Sequence, residues 1–270
     1  MATVTRLFHY PVKSCRRIEV QTATVGPQGI FRDREYMVVD ADSVLISQRQ
    51  HPRLALVDPA ELISLAAPVD DRRRTVTLHS WTGEGVDQGD VAADYLTRHL
   101  GVEARLVKFP DSYQRRTGRG DGTVRYADGY PLLIVSEESL GALNDRLEQD
   151  VVIERFRPSI VLGGVDRPFA EDDVATLRIG AVTIEMITAC GRCVVITVDQ
   201  DSAQTGREPL KELGKFRLLP RDDRGQDIGF GMNAIPRTFG EVSVGDTAEI
   251  TYADVPYVER MRAAKGMVNG

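Results

Sequence analysis

The sequence predicts a mainly β protein (α+β), organised in two halves with a few short helices, and three observations carry that expectation. Short β-branched and apolar runs recur between turn signals, which suits a barrel or sandwich better than alternating strands and crossover helices. Helical periodicity appears at only a few places. Near the middle, Gln114-Arg115-Arg116-Thr117-Gly118-Arg119-Gly120-Asp121-Gly122 holds three glycines that oppose regular structure, so it reads as the link between the halves. Its arginines form either a solvated face or part of a mobile lid over an anionic ligand.

Taken in order, Val4 to Val12 alternates loosely as a strand ending at Lys13-Ser14-Cys15. Ile18 to Val25 follows and closes in the turn Gly26-Pro27-Gln28-Gly29. A third strand, Tyr36 to Asp40, comes after Arg32-Asp33-Arg34, with shorter ones at 44–47, 54–57 and 74–79. Gly89-Asp90 starts a helix with Val91, Tyr95, Leu96 and Leu100 on one face and Gly101 as its stop. Ala104 to Phe109 returns as a strand. In the second half Leu132 to Val135 is a strand, and Ser136 caps a helix with Glu137 and Glu138 in its first turn and Leu140, Leu143 and Leu147 on its buried face. Ile160 to Leu162 is another strand. Thr176–Ile179 and Val182–Ile187 form a hairpin. Pro209 starts a short helix through Leu210 and Leu213, and Ile228–Ala234 and Glu241–Ile250 supply the last strands, with Gly245-Asp246 as a turn.

The chain has 270 residues, 42% hydrophobic and 27% charged, enough apolar material for a substantial core. A net charge of -6 argues against general nucleic-acid affinity, which needs a basic footprint. Three cysteines give no disulfide framework and fit a reducing compartment. The stretch Met1–Arg6 lacks an apolar signal core, and no run reaches the ~18 apolar residues of a membrane span. The expectation is a soluble, cytoplasmic protein with neither nucleic acid nor membrane as partner. The phosphate-binding patterns GxGxxG and GxxxxGK[ST] are missing, so dinucleotide and P-loop roles have no support.

The stretch around which the chain is organised is Cys190-Gly191-Arg192-Cys193, which follows one strand-like run and precedes the β-branched Val194–Val198. A structural zinc site needs four ligands, and the remaining Cys15 and the four histidines form no short-spaced pair. A thioredoxin-type dithiol needs a helix after its first cysteine, whereas the residues after Cys193 read as strand. Two readings remain: buried cysteines acting as small hydrophobes, or a single thiolate ligand to a soft metal whose other donors come from a cofactor. A redox cofactor with a phosphate tail also needs cations. Lys13, Arg34, Arg157 and Arg192 each stand where an expected strand meets a turn, and Ser14 and Ser159 can add hydroxyls.

Tyr10-Pro11-Val12-Lys13-Ser14-Cys15, Arg32-Asp33-Arg34 with Ser47-Gln48-Arg49, Phe156-Arg157-Pro158 and Cys190-Gly191-Arg192-Cys193 form an ordered set that resembles a MOSC-domain protein with its N-terminal β-barrel partner. That family includes the mitochondrial amidoxime-reducing component and bacterial relatives, and the resemblance runs from about Leu7 to about Ile250. It implies a MOSC N-terminal β-barrel-like domain over 1–118 and a molybdenum-cofactor-binding MOSC β-barrel domain over 119–270. It also implies a molybdenum cofactor (Mo-molybdopterin) with Cys193 as protein ligand to the metal and Cys190 in a structural role. Lys13, Ser14, Arg34, Arg157, Gly191 and Arg192 match positions that bind the pterin and its phosphate, and Ser159 stands where the relatives often carry asparagine. Asp199 is assigned either to orienting substrate or water or to a turn. The family's usual Thr-Thr-Val-Asp-Pro is Ile196-Thr197-Val198-Asp199-Gln200 here, and Phe230-Gly231-Met232-Asn233 replaces a segment that often carries an aromatic.

The implied activity is reduction of N-hydroxylated small molecules, such as amidoximes, hydroxylamines and N-hydroxylated bases. Oxygen leaves as water with two electrons and two protons while molybdenum cycles between +4 and +6. No cysteine follows Cys193, so electrons are expected from separate ferredoxin-, cytochrome- or flavin-type proteins. The alternative is a molybdenum-cofactor carrier or sulfur-transfer module without reductase turnover.

Overall fold

The computed structural model describes residues 1–68, 73–221 and 225–268. Seven strands close into a barrel. Going round it, Leu132–Ser136 runs parallel to Ile160–Gly163, which pairs with Ala2–His9, followed by Thr247–Tyr252, Val174–Ile179, Val182–Gly191 and Gly225–Pro236. Gly225–Pro236 pairs with Leu132–Ser136 again, which removes both edges. Strand alternation builds the two cores. Leu132, Ile134, Ile160, Leu162, Val182, Ile184 and Met186 fill the inner cluster. Leu133, Val135 and Val161, one residue out of step, pack outward with Phe8, Phe156 and Phe230. The run Leu132–Val135 is apolar throughout because both of its faces are covered.

The first strand belongs to this barrel. It lies between Ile160–Gly163 and Thr247–Tyr252, although more than 150 residues separate it from either. The rest of the N-terminal half forms a four-stranded half-barrel, in the order Tyr36–Val39, Arg105–Lys108, Trp81–Asp87, Arg73–Leu78. Helix Asp90–Leu100 covers it through Ala92, Leu96 and Leu100, and Gly101 ends the helix with φ +74°. A three-stranded sheet of Gly240–Ser243, Thr22–Gly26 and Gly29–Ile30 links the two ends of the chain. Among the described residues there are five α-helices, and none is long and apolar enough to cross a membrane.

The mainly β expectation, the Ser136 cap, the helix after Pro209 and the hairpin at 176–187 all hold. Several local expectations do not. Residues 54–56 belong to a 3₁₀ turn, Pro52–Leu56, set by Pro52 at its start, and Val57 follows it. Residues 44–47 contribute only isolated bridges. Val91 is exposed rather than on the buried face of its helix. Glu241–Ile250 is two strands in different sheets, separated at Gly245. Strand Trp81–Asp87 and helices Pro59–Ser64 and Tyr257–Val268 lie outside the expected set.

The two corrections that matter most concern the motifs. Val194–Thr197 is a 3₁₀ helix capped by Cys193, not a strand, because the chain turns sharply after the long strand Val182–Gly191. The glycine-rich link carries a small ladder, Arg115–Arg116 against Thr123–Val124. Arg115 is buried there, neither solvated face nor lid, while Arg116 stays exposed as a solvated face would have it. The Arg115 guanidinium donates to the carbonyls of Arg125, Ala127 and Asp128 at 2.9, 2.5 and 2.8 Å and lies over Trp81.

Candidate functional site

A cavity lies between the barrel and the half-barrel. Lys13, Ser14, Arg34, Arg157, Ser159, Gly191, Arg192 and Cys193 all line it. Asp199 does not. Its carboxylate closes a turn by accepting from the N–H groups of Asp201 and Ser202 and the Ser202 hydroxyl, and it pairs with Arg155 at 3.0 Å. Desolvation would raise the Asp199 pKa, but these donors outweigh it and hold it below the usual carboxylate value.

The N-terminal wall comes from two loops held by cross-chain backbone bonds. Lys13 N–H donates to Tyr36 O at 2.8 Å and Arg34 N–H to Tyr10 O at 2.7 Å. Ser14, Arg34 and Arg157 all adopt the left-handed backbone, with φ of +67°, +47° and +56°. Each of these costs of order 1–3 kcal/mol, and such residues cluster at ligand sites. The conformations aim side chains inward from tight turns that an extended backbone would send past the cavity. Burial lowers the Lys13 pKa, and Asp128 Oδ1, 2.5 Å from Nζ, works against that fall. For Asp128 the pull of Lys13 and His79 overcomes desolvation and holds it well below the ordinary range.

On the opposite wall, Ser159 is set by its N–H to Leu133 O at 2.8 Å and accepts at Oγ from Leu133 N–H at 3.3 Å. Arg192 spends its donors on the fold: Nε and Nη2 reach Phe230 O at 2.9 and 2.6 Å, and Nη1 reaches Phe156 O at 3.0 Å. Arg157 is only half used. Its Nη1 donates to Cys15 O and Gln200 Oε1 at 3.0 and 3.3 Å, while Nη2 is buried with no partner among the described residues. Leaving a buried donor unpaired costs about 1–3 kcal/mol, so a ligand that accepts from it gains accordingly.

Cys193 is partly exposed just past the long barrel strand, and the Arg49 guanidinium is near enough for its charge to act on the thiol. Cys15, by contrast, is fully buried, and burial pushes its thiol up to about 12. Among the described residues no cluster of three or more His, Cys, Asp or Glu side chains is placed to hold a metal ion. A metal at Cys193 therefore takes its remaining donors from a cofactor. The residues fit such a group. A soft sulfur donor stands at one end, and buried Lys13 and part-buried arginines, one with an unpartnered guanidinium donor, suit an anionic tail.

Three cavity residues escaped the sequence reading. His79, at the tip of hairpin Arg73–Asp87, places Nε2 3.1 Å from Asp128 Oδ1. Arg155 follows no local pattern. Asp128 stands beside a Gly-Tyr-Pro turn, a signal of loop geometry with no indication of what the loop faces. Arg49 and Asn233 lay inside motifs but without a site role, and both line the cavity.

The MOSC N-terminal beta barrel domain matches residues 1–103 and the MOSC domain matches residues 121–249. Mitochondrial amidoxime-reducing component 1 of Homo sapiens is 33% identical over 277 residues, covering 91% of this chain and 82% of its own length. Mitochondrial amidoxime-reducing component 1 of Xenopus laevis is 34% identical over 244 residues, covering 79% and 71%. Among solved structures, the YUAD protein from Bacillus subtilis aligns over 94% of this chain and 97% of its own, at 10% identity and a TM-score of 0.48.

Proposed function

This chain belongs to the MOSC-domain family whose members carry a MOSC N-terminal β-barrel, and from that premise we propose that it is a molybdenum-cofactor-dependent reductase of N-hydroxylated compounds. The observation that carries the reading is a cavity that brings the partly exposed thiol of Cys193, with Cys190 beside it, together with buried Lys13 and part-buried arginines, of which Arg157 keeps a donor without a partner among the described residues. The relatives named above are amidoxime-reducing components, which favours an N–O bond as the one broken.

When bound, the molybdenum cofactor supplies the two-electron chemistry of the reduction. The chain supplies the setting. Cys193 would be the thiolate ligand, and the charge of Arg49 beside it would draw electron density from its sulfur. Lys13, Ser14, Arg34 and Arg157 hold the phosphate end, while Ser159, Gly191 and Arg192 shape the opposite wall. Arg192 acts mainly by fixing the turn that presents Cys193, since its donors hold backbone carbonyls. His79 and Asp128 form a polar pair on the wall, joined at Nε2 and Oδ1. Asp199 serves the reading as the anchor of Arg155 and of the turn behind the cavity. Electrons come from separate ferredoxin-, cytochrome- or flavin-type proteins.

The test is metal and pterin analysis of protein from a cofactor-producing host, paired with benzamidoxime reduction by an artificial electron donor. Stoichiometric molybdenum with turnover, both lost in Cys193→Ala, is the expected result. Full N-reductase activity in Cys193→Ala overturns the assignment. Molybdenum without turnover, with a donor shown to work on a relative, points to a cofactor carrier.

A further inference from the structure

Behind the cavity wall, two fully enclosed amides face each other. Gln48 and Gln200 are 1% and 3% exposed and come from opposite halves of the chain. Gln48 Nε2 donates to Gln200 Oε1 at 3.1 Å, and Gln200 Nε2 donates back to Gln48 Oε1 at 2.9 Å. The second proton on each amide is also used: Gln48 Nε2 reaches Ser14 O at 2.7 Å, and Gln200 Nε2 reaches Val198 O at 3.1 Å. All four N–H donors are thus satisfied.

The orientation of both amides is forced by one residue. Arginine is donor-only, so Arg157 Nη1, at 3.3 Å, requires the oxygen of Gln200 to face it. That oxygen then fixes the amide nitrogen of Gln48 toward itself and toward Ser14 O. Turning either amide over sets donor against donor or oxygen against oxygen. A single line of hydrogen-bond polarity therefore runs from Arg157, through Gln200 and Gln48, to the left-handed Ser14 turn. With Cys15 O taking the second proton, it occupies Nη1 completely, and Nη2 has no partner among the described residues.

We propose that the Gln48–Gln200 amide pair is the positioning device of the anion cradle, holding Arg157 and the Ser14 turn in register for a phosphate group. The inference rests on the reading of the cavity as the site of a phosphorylated cofactor. Neither glutamine lines the cavity; both act through the residues that do.

The experiment uses two probes, inorganic phosphate titrated against the apo-protein and retention of pterin by the holoprotein. Gln48→Met and Gln200→Met keep the volume and remove the polarity. Each is expected to weaken phosphate binding and speed pterin loss by about tenfold. The double variant is expected to be no worse than the poorer single, because the two side chains act as one unit. Gln88→Met is the control, since Gln88 is equally buried beside the half-barrel and among the described residues its side chain bonds only to Val86 O. It is expected to lower stability without moving either reading. The KM for benzamidoxime stays unchanged in the loaded fraction of every variant.

Unchanged phosphate affinity in folded Gln48→Met and Gln200→Met overturns the proposal, as does an equal loss in Gln88→Met. If a methionine variant does not fold, Gln200→Glu serves in its place. It keeps an acceptor for Arg157 but sets a second oxygen against Gln48 Oε1 and Val198 O. Weaker phosphate binding there supports the proposal, and unchanged binding overturns it. Wild-type protein that binds phosphate through this pair but carries no pterin would refute the reductase reading alone. Pterin-loaded protein whose variants behave as wild type would refute the positioning role alone.

Discussion

Arg34 and Arg157 share one aromatic ring: their guanidinium carbons lie 4.1 and 4.3 Å from the centre of the buried Tyr10 ring. Two cations gathered on one ring are tolerable because the π face attracts both and Asp33 pairs with Arg34. Burial, with the charge of Arg34 behind it, brings Arg157 down to about 10, which still leaves it a cation at neutral pH. Such a pair is set to receive an anion.

Tyr10 should separate ring from hydroxyl. Its Oη is buried with no partner among the described residues, so Tyr10→Phe is expected to change stability by no more than about 1 kcal/mol, in either direction. Tyr10→Leu removes the platform and is expected to cost about 2–3 kcal/mol and to lower cofactor content. Urea denaturation and pterin analysis of both variants check the contrast.

The thiols should react unequally. Cys15 is fully buried with its pKa pushed up to about 12, whereas Cys190 and Cys193 are partly exposed. A disulfide-exchange reagent is expected to titrate at most two thiols in the native apo-protein, and the third only in denaturant. The fastest phase disappears in Cys193→Ser.

Asp87 should report on acid stability. Although burial opposes it, hydrogen bonds from Arg105, Gly89 N–H and Arg74 lower its pKa from 3.8 to about 2. A carboxyl whose folded pKa is depressed contributes stability above its unfolded pKa and loses it as pH falls through the folded one. The contribution, about 2 kcal/mol, is therefore complete above about pH 5 and fades toward pH 2. In Asp87→Asn the difference from wild type is expected to shrink over that window, as measured by denaturant midpoints at stepped pH.

Arg49 should tune turnover and leave the cofactor in place. Arg49→Leu removes the positive charge beside the Cys193 sulfur and is expected to slow benzamidoxime reduction by about 10–100-fold. Molybdenum content stays near wild type while the metal's midpoint potential shifts. Loss of molybdenum in that variant would instead make Arg49 part of the holding set.

Much of this architecture was legible in local pattern. Ser136 ahead of Glu137 and Glu138 marks a helix start, and Gly101 after an amphipathic turn marks a helix end, because capping needs only residues a few positions apart. The alternation in Val182–Gly191 likewise names its buried side. Spacing failed where a side chain's partner lies far away in sequence. Val194–Thr197 has strand composition, yet the turn after Cys193 makes it a 3₁₀ helix. Arg115 sits among glycines, yet three carbonyls and Trp81 draw it inside.

By itself the sequence determined a mainly β chain, the family, and the ordered motifs that bring Lys13, Arg34, Arg157 and Cys193 into consideration together. The tertiary structure alone decided that Ala2–His9 completes a barrel built mostly from residues 132–252. It also decided that Arg192 serves the backbone while Arg157 keeps a donor free, and that Gln48 meets Gln200 across 152 residues. Local propensity and periodicity act over a few residues. Which polar group finds which partner is settled only when burial forces every donor and acceptor to be matched at once.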